Sequence, residues 1–237
     1  MITKDFVCKQ FRVGQENTAL KIGTDAFVLG AYTHHFKNTT ILDIGTGTGI
    51  LALMLAQKYS EAHIHAVEIN AQACIDAHYN FSRSAWHKNL SCIHADIATY
   101  TQNCTTKYDI IISNPPFFHN SLPSKNDALR IAKHSDSLSP TLLLECVSKL
   151  VSEQGIVSVI IPFADTTRYI SLAETHNLHL IEELQIHPFL NSPPNRSVLI
   201  FSKKNTICKQ EHLYIRDENK NYTKEYSHLM KDYLLKF

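Results

Sequence analysis

Asp43-Ile44-Gly45-Thr46-Gly47-Thr48-Gly49 follows the apolar run Thr40-Ile41-Leu42 and leads into Ile50-Leu51-Ala52-Leu53-Met54-Leu55. Seven glycines serve the whole chain of 237 residues, and three of them stand here at alternate positions. A residue without a Cβ permits a sharp turn and lets a ligand approach the main chain. A strand that ends on this heptapeptide and passes into a helix therefore reads as the nucleotide-binding turn of an open α/β sheet.

Two cofactor classes compete for that turn. Glu68 closes the next apolar run, where its carboxylate is placed to accept bonds from ribose hydroxyls, as in dinucleotide-binding proteins. The glycines, however, read G-x-G-x-G with an acidic residue two positions ahead, in place of G-x-G-x-x-G. That spacing favours S-adenosylmethionine over NAD, with Asp43 near the cationic methionyl amine.

Outward from the loop, short apolar runs alternate with segments of helical period, the pattern of a parallel sheet covered by helices. Strands are expected at Thr40–Ile44, His63–Glu68, Leu90–His94, Tyr108–Ser113, Ile156–Ile161, Leu178–Ile186 and Ser197–Ser202. Leu143, Cys146, Val147, Leu150 and Val151 mark one buried stripe on a helix beginning near Ser139 and ended by a turn at Gly155. Ala71, Cys74, Ile75 and His78 repeat the period after the second strand. Tyr226, Leu229, Met230, Tyr233, Leu234 and Phe237 give the strongest periodicity, a helical face expected in the core. No repeat or Gly/Pro/Ser-rich linker divides residues 1–237, so one domain is expected, with residues 1–35 and 205–237 as extensions.

Composition excludes several classes. The 23 basic and 22 acidic residues give a net charge of +1, so no general polycationic field attracts nucleic acid. The six cysteines contain no C-x-x-C pair and are expected to be inert thiols of a reducing compartment. His34-His35 and His63/His65 have no carboxylate partner at metal-site spacing, so no metal is expected. Met1–Phe11 lacks the apolar core of a signal peptide, and Ile50–Ala56 is too short to span a bilayer; a cytoplasmic monomer without membrane contact is expected.

Two more stretches carry chemistry. A third strand ends at His94-Ala95-Asp96-Ile97, which places Asp96 either as a helix cap or as an acceptor for an adenine amino group. The fourth runs into Asn114-Pro115-Pro116-Phe117. The prolines fix φ and remove two donors, leaving carbonyls free to face a substrate. An amino group on a conjugated ring is a poor nucleophile; two hydrogen bonds, to the Asn114 side-chain oxygen and the Pro115 carbonyl, would aim its lone pair at a methyl donor. Phe117 supplies a ring for a flat substrate to stack on.

Asp43–Gly49, Glu68, Asp96 and Asn114–Phe117, in this order, resemble the amino-directed class I S-adenosylmethionine-dependent methyltransferases. From Phe6 to Phe237 the chain is similar to the bacterial tRNA(Val) adenosine-37 N6-methyltransferase family. Phe11-Arg12-Val13, Leu20–Asp25, Arg196, Ile215-Arg216 and Asn221–Tyr226 carry the match. The resemblance implies a Rossmann-like α/β fold, a seven-stranded, mostly parallel sheet with an antiparallel last strand and helices on both faces. It implies that Lys21, Gly23, Thr24 and Asp25 pack over the methionine end of the cofactor, that Ile69 and Ile97 join its adenosine site, and that tRNA is the substrate. Phe118 follows Phe117 where the family often has Tyr after the prolines.

A tRNA needs phosphate contacts. Arg196 to Lys209 holds Arg196, Lys203, Lys204 and Lys209 with no acidic residue, and Lys125, Arg130 and Lys133 follow Pro116 and Phe117. Both groups are expected to grip phosphates near the reacting base. Methylation of a guanine amine in ribosomal RNA, methylation of a glutamine amide in a translation factor, and non-catalytic binding are the alternatives.

Overall fold

A computed structural model describes residues 5–18, 21–34, 40–116 and 138–237. Phe117, Phe118, Lys125, Arg130, Lys133 and His35 lie outside the described residues. The first elements are a two-stranded antiparallel hairpin, β1 (Phe6–Val7) with β2 (Arg12–Val13), and helix α1 (Thr24–Tyr32). Alternating strands and helices follow: β3 (Thr40–Ile44), α2 (Ile50–Lys58), β4 (His63–Glu68), α3 (Ala71–Ser82), β5 (Leu90–His94), α4 (Ile97–Asn103) and β6 (Tyr108–Ser113). After the undescribed segment come α5 (Pro140–Leu150), β7 (Val151–Pro162), α6 (Thr166–Glu174), β8 (His179–Phe189), β9 (Arg196–Ser202), β10 (Lys209–Arg216) and α7 (Lys224–Met230).

The strands form one eight-stranded sheet in the order β10-β8-β9-β7-β6-β3-β4-β5. β3 pairs in parallel with both β4 and β6, so the chain reverses its direction of winding beside β3. Ligands of open α/β sheets bind at that switch point, outside the carboxyl ends of the strands. Two buried apolar clusters cover the two faces, one built with α1, α2 and α3, the other with α5 and α6. Because both faces are covered, β3 and β6 are mostly apolar, interrupted by Asp43 in β3 and by Asp109 and Ser113 in β6. α2 is buried from Ile50 through Ala56, as its composition requires.

Three expectations are corrected. Lys209–Arg216 adds an eighth strand; it is an edge element in which only Leu213 is fully buried, so its sequence lacks an apolar signal. The helix at Tyr226 stops at Met230. The amides of Tyr233 and Leu234 both turn back to the Met230 carbonyl, and Leu234 bridges to Cys8, so the apolar stripe reaches the core by a turn. Gly155 ends no helix: it lies inside β7, where the register against β6 shifts and a Cβ would stand 2.7 Å from the Tyr108 carbonyl oxygen.

β9 runs antiparallel between β7 and β8. Arg196 pairs with Pro162 at the carboxyl rim, whereas Ser202 pairs with Ile156 near the opposite rim. Lys203 and Lys204 therefore lie about 20 Å or more from the switch point at ~3.3 Å per strand residue. Lys203 binds Glu153 at 2.7 Å, and Lys209 binds Glu211 at 2.6 Å. The expectation that these lysines grip phosphates beside the reacting base is not met: β9 carries Lys203 and Lys204 away from the rim on which Arg196 stands, Lys203 is paired with Glu153, remote in sequence, and Lys209 with Glu211, two residues on.

Candidate active site

At the carboxyl rim above β3 and β6 lies a cavity of about 330 Å³. The glycine turn forms its floor. Gly45, Gly47 and Gly49 take φ of 70°, 57° and 82°, in the left-handed region that side chains rarely adopt. A Cβ on Gly49 would stand 2.4 Å from the Phe81 ring, so the turn is pressed directly onto α3.

Asp43 sits beneath the turn with no exposed surface. Its Oδ2 accepts bonds from the Thr46 hydroxyl (2.5 Å) and the Ala52 amide (3.2 Å), while Oδ1 is buried without a partner. Burial pushes the carboxyl up to about 7, against the lowering effect of those two donors. Neither Asp43 nor Gly49 is among the residues that line the cavity; the orphaned oxygen lies beneath the turn, where it would complement a cationic amine that reached it.

Glu68, at the end of β4, is 8% exposed and lines the cavity. Its Oε2 accepts the Gly47 amide and its Oε1 the Asn70 amide, both at 2.9 Å, so the carboxylate is fixed while each oxygen keeps a lone pair. Ile69, 46% exposed, and Ile97 also line the cavity. Asp96 is the cap of α4, its Oδ1 accepting from Ala98 and Thr99, and the residue also lines the cavity.

Asn114, Pro115 and Pro116 leave β6 on the same wall, adjoining the glycine turn. The Ser113 hydroxyl donates to the Ile44 carbonyl at 2.8 Å and ties the ends of β6 and β3 together. From the amino-terminal side come Thr18, Lys21, Ile22, Gly23 and Ala26. Lys21 donates to the Gln15 carbonyl at 2.6 Å. Thr24 and Asp25 begin α1 behind this wall and are not among its lining residues; the Asp25 carboxylate accepts from Arg196 Nε at 2.9 Å.

The histidines have other partners. His65 Nδ1 bonds the Tyr108 hydroxyl at 2.7 Å. Among the described residues no group of three or more His, Cys, Asp or Glu side chains is placed to hold a metal ion, and no helix is long and apolar enough to cross a membrane. Sequence reasoning missed Thr18, Asn70, Leu138 and Leu142 on the cavity wall. Asn70 alone carried a signal, as an N-cap type directly after Glu68; its Oδ1 accepts from Gln72 and Ala73.

The profile of the methyltransferase small domain family matches residues 17–141. A tRNA1(Val) (adenine(37)-N6)-methyltransferase from Flavobacterium psychrophilum is 39% identical over 98% of this chain and 99% of its own. One of the same name from Histophilus somni is 34% identical over 99% and 98%. Among solved structures, a predicted O-methyltransferase from Agrobacterium tumefaciens superposes with a TM-score of 0.67 at 16% identity, covering 88% of this chain and 96% of its own. That likeness concerns the fold.

Proposed function

The chain belongs to the methyltransferase small domain family and, within it, to the tRNA1(Val) (adenine(37)-N6)-methyltransferases, and from that membership we propose that it methylates the N6 amine of adenosine 37 in the anticodon loop of tRNA(Val), with S-adenosylmethionine as donor. The observation that carries this reading is the meeting of Asn114-Pro115-Pro116 with the glycine turn in one cavity. The sulfonium of the cofactor, when bound, supplies an activated methyl group open to in-line displacement.

The residues present fit that cofactor. Asp43 offers its orphaned oxygen to the methionyl amine, and Lys21 and Gly23 close the same end of the cavity, with Lys21 supplying positive charge toward the methionyl carboxylate. Thr24 acts through the backbone turn into α1, and Asp25 by holding Arg196. Gly45, Gly47 and Gly49 let the ligand approach the main chain. The free lone pairs of Glu68 accept from the ribose hydroxyls, Ile69 and Ile97 give the adenine apolar faces, and Asp96 accepts from its amino group.

On the substrate side, the Asn114 side-chain oxygen and the Pro115 carbonyl accept the two hydrogens of the target amine. Its lone pair is thereby turned toward the donor, and the positive charge developing on nitrogen is stabilised. Pro116 flanks the base, and Arg196 stands on the same rim for a phosphate; the stacking role read for Phe117 and Phe118 falls outside the described residues. An anticodon-loop adenosine is extruded more cheaply than a duplex base, which suits a protein of nearly zero net charge. The test is incubation of the purified protein with labelled cofactor and either total RNA or total protein, followed by nucleoside mass spectrometry. Label in N6-methyladenosine of tRNA is expected; label in N2-methylguanosine or in protein overturns the reading.

A further inference from the structure

Residues Gly14 to Thr18 form a strap that reaches the cavity wall at Thr18, and two side chains of α3 hold it. Asp76 is 4% exposed, and its carboxylate accepts four hydrogen bonds from the strap. These come from the Asn17 amide (2.9 Å), the Asn17 Nδ2 (2.8 Å), the Thr18 amide (2.7 Å) and the Thr18 hydroxyl (2.7 Å). One helical turn later, Asn80 is 1% exposed. Its Oδ1 accepts from the Gly14 amide at 2.7 Å, and its Nδ2 donates to the Gly14 and Thr48 carbonyls at 2.8 Å each.

Asn80 thus grips the strap and the glycine turn with one amide group. Thr18 lies between them: its methyl group comes within 3.8 Å of the point where a Cβ on Gly47 would stand, and the residue lines the cavity. Neither Asp76 nor Asn80 is among the lining residues, and the bonds described for both run to the strap and the glycine turn. A buried carboxylate facing four donors on a short segment of irregular backbone spends its charge on fixing that segment.

We infer that Asp76 and Asn80 are positioning residues for the cofactor, which clamp the Gly14–Thr18 strap against the glycine turn and so set the width of the cavity where Thr18 lines it. The inference rests on the cofactor reading above. It goes beyond that reading by assigning affinity to two residues that touch no ligand. Release of the strap separates Thr18 from the glycine turn, whereas Asn114-Pro115-Pro116 leaves β6 and has no bond to Asp76 or Asn80 among those that hold the strap.

Calorimetry with S-adenosylhomocysteine tests it. The parent protein is expected to bind, and its failure to do so overturns the cofactor reading and this inference together. Asp76→Ala is expected to weaken binding by about 10-fold or more, because two strap amides lose a charged acceptor. Asp76→Asn, which keeps one oxygen, is expected to recover part of that loss. At saturating cofactor, turnover of both variants should stay within about 3-fold of the parent, so the effect falls on KM for the cofactor.

Asn17 and Thr18 amide exchange should quicken in Asp76→Ala. Phe201→Leu, which thins the opposite apolar cluster, serves as a control for general destabilisation and is expected to leave affinity unchanged. Should Asp76→Ala fail to fold, Asn17→Ala with Thr18→Val removes two of the four donors and is expected to weaken binding by about 3-fold or more. Parent-like affinity in the folded strap variants, or a loss no larger than that of Phe201→Leu, overturns the inference while leaving the cofactor reading intact.

Discussion

A carboxylate with no exposed surface is held in its charged form only at a cost, and Asp43 meets that cost in part, through Thr46 and Ala52, leaving Oδ1 unpaired. Because burial raises the group to about 7, Asp43 in the free protein is expected to carry a proton at pH 6 and largely to lose it at pH 8. A ligand ammonium favours the charged form, so binding expels that proton. Affinity for S-adenosylhomocysteine is therefore expected to rise by up to about tenfold per pH unit below 7 and to level off above it. Calorimetry across pH 5.5–8.5 checks the slope, and Asp43→Asn should abolish it. Asn114→Ala acts elsewhere: turnover should fall by about 10²-fold or more with cofactor affinity within a few-fold of the parent, since the lost bonds act on the reacting amine. Single-turnover kinetics with tRNA separate the two; a large loss of affinity at normal turnover would remove Asn114 from the chemistry.

Among the elements, α3 carries more than its own packing. Its Phe81 ring closes on Gly49, its Asn80 and Asp76 reach the strap, and its N-cap Asn70 bonds Glu68. Gly49→Ala drives a methyl group into the ring and strains a φ of 82°. A loss of about 2–4 kcal/mol in stability is expected from overpacking plus strain, measured by urea unfolding, together with loss of cofactor binding. The sequence made the floor of this site legible, since glycines at alternate positions, an acidic strand end and Asn114-Pro115-Pro116 are local signals. The strap was not legible: Asp76 and Asn80 read as polar positions on an amphipathic helix, and nothing in Gly14–Thr18 says which helix it meets. β10 stayed hidden for the opposite reason, because an edge strand with one buried residue has too little apolar pattern. The mistaken reading of Lys203 and Lys204 came from treating nearness to Arg196 in sequence as nearness in space, which an antiparallel strand inverts.

Across the whole molecule, residues far apart in the chain brace the same region. Lys9 donates to the carbonyls of Lys231 and Phe237, its amide bonds the Tyr233 carbonyl at 2.9 Å, and Cys8 bridges to Leu234. Tyr233 is 4% exposed, with its hydroxyl 3.4 Å from the Met54 carbonyl oxygen. Tyr233→Ala is expected to cost about 3–5 kcal/mol, on the scale of a large aromatic removed from a core. Thermal and urea unfolding measure that cost, and amide exchange should show residues 5–13 loosening first. A variant with parent-like stability would show that the turn after α7 merely rests on the surface.

That bracing sets an order of events in time. Residues 5–13 leave the ribosome early, yet the partners that hold them emerge more than 200 residues later. Through most of synthesis the sheet from β3 to β7 can assemble while the hairpin ahead of the strap has only its earlier partners, Phe27, Arg83 and Trp86, to dock on. The nascent chain thus carries a glycine turn whose strap already has Asp76 and Asn80 to hold it, while the brace on Lys9 is added only when Lys231 and Phe237 arrive.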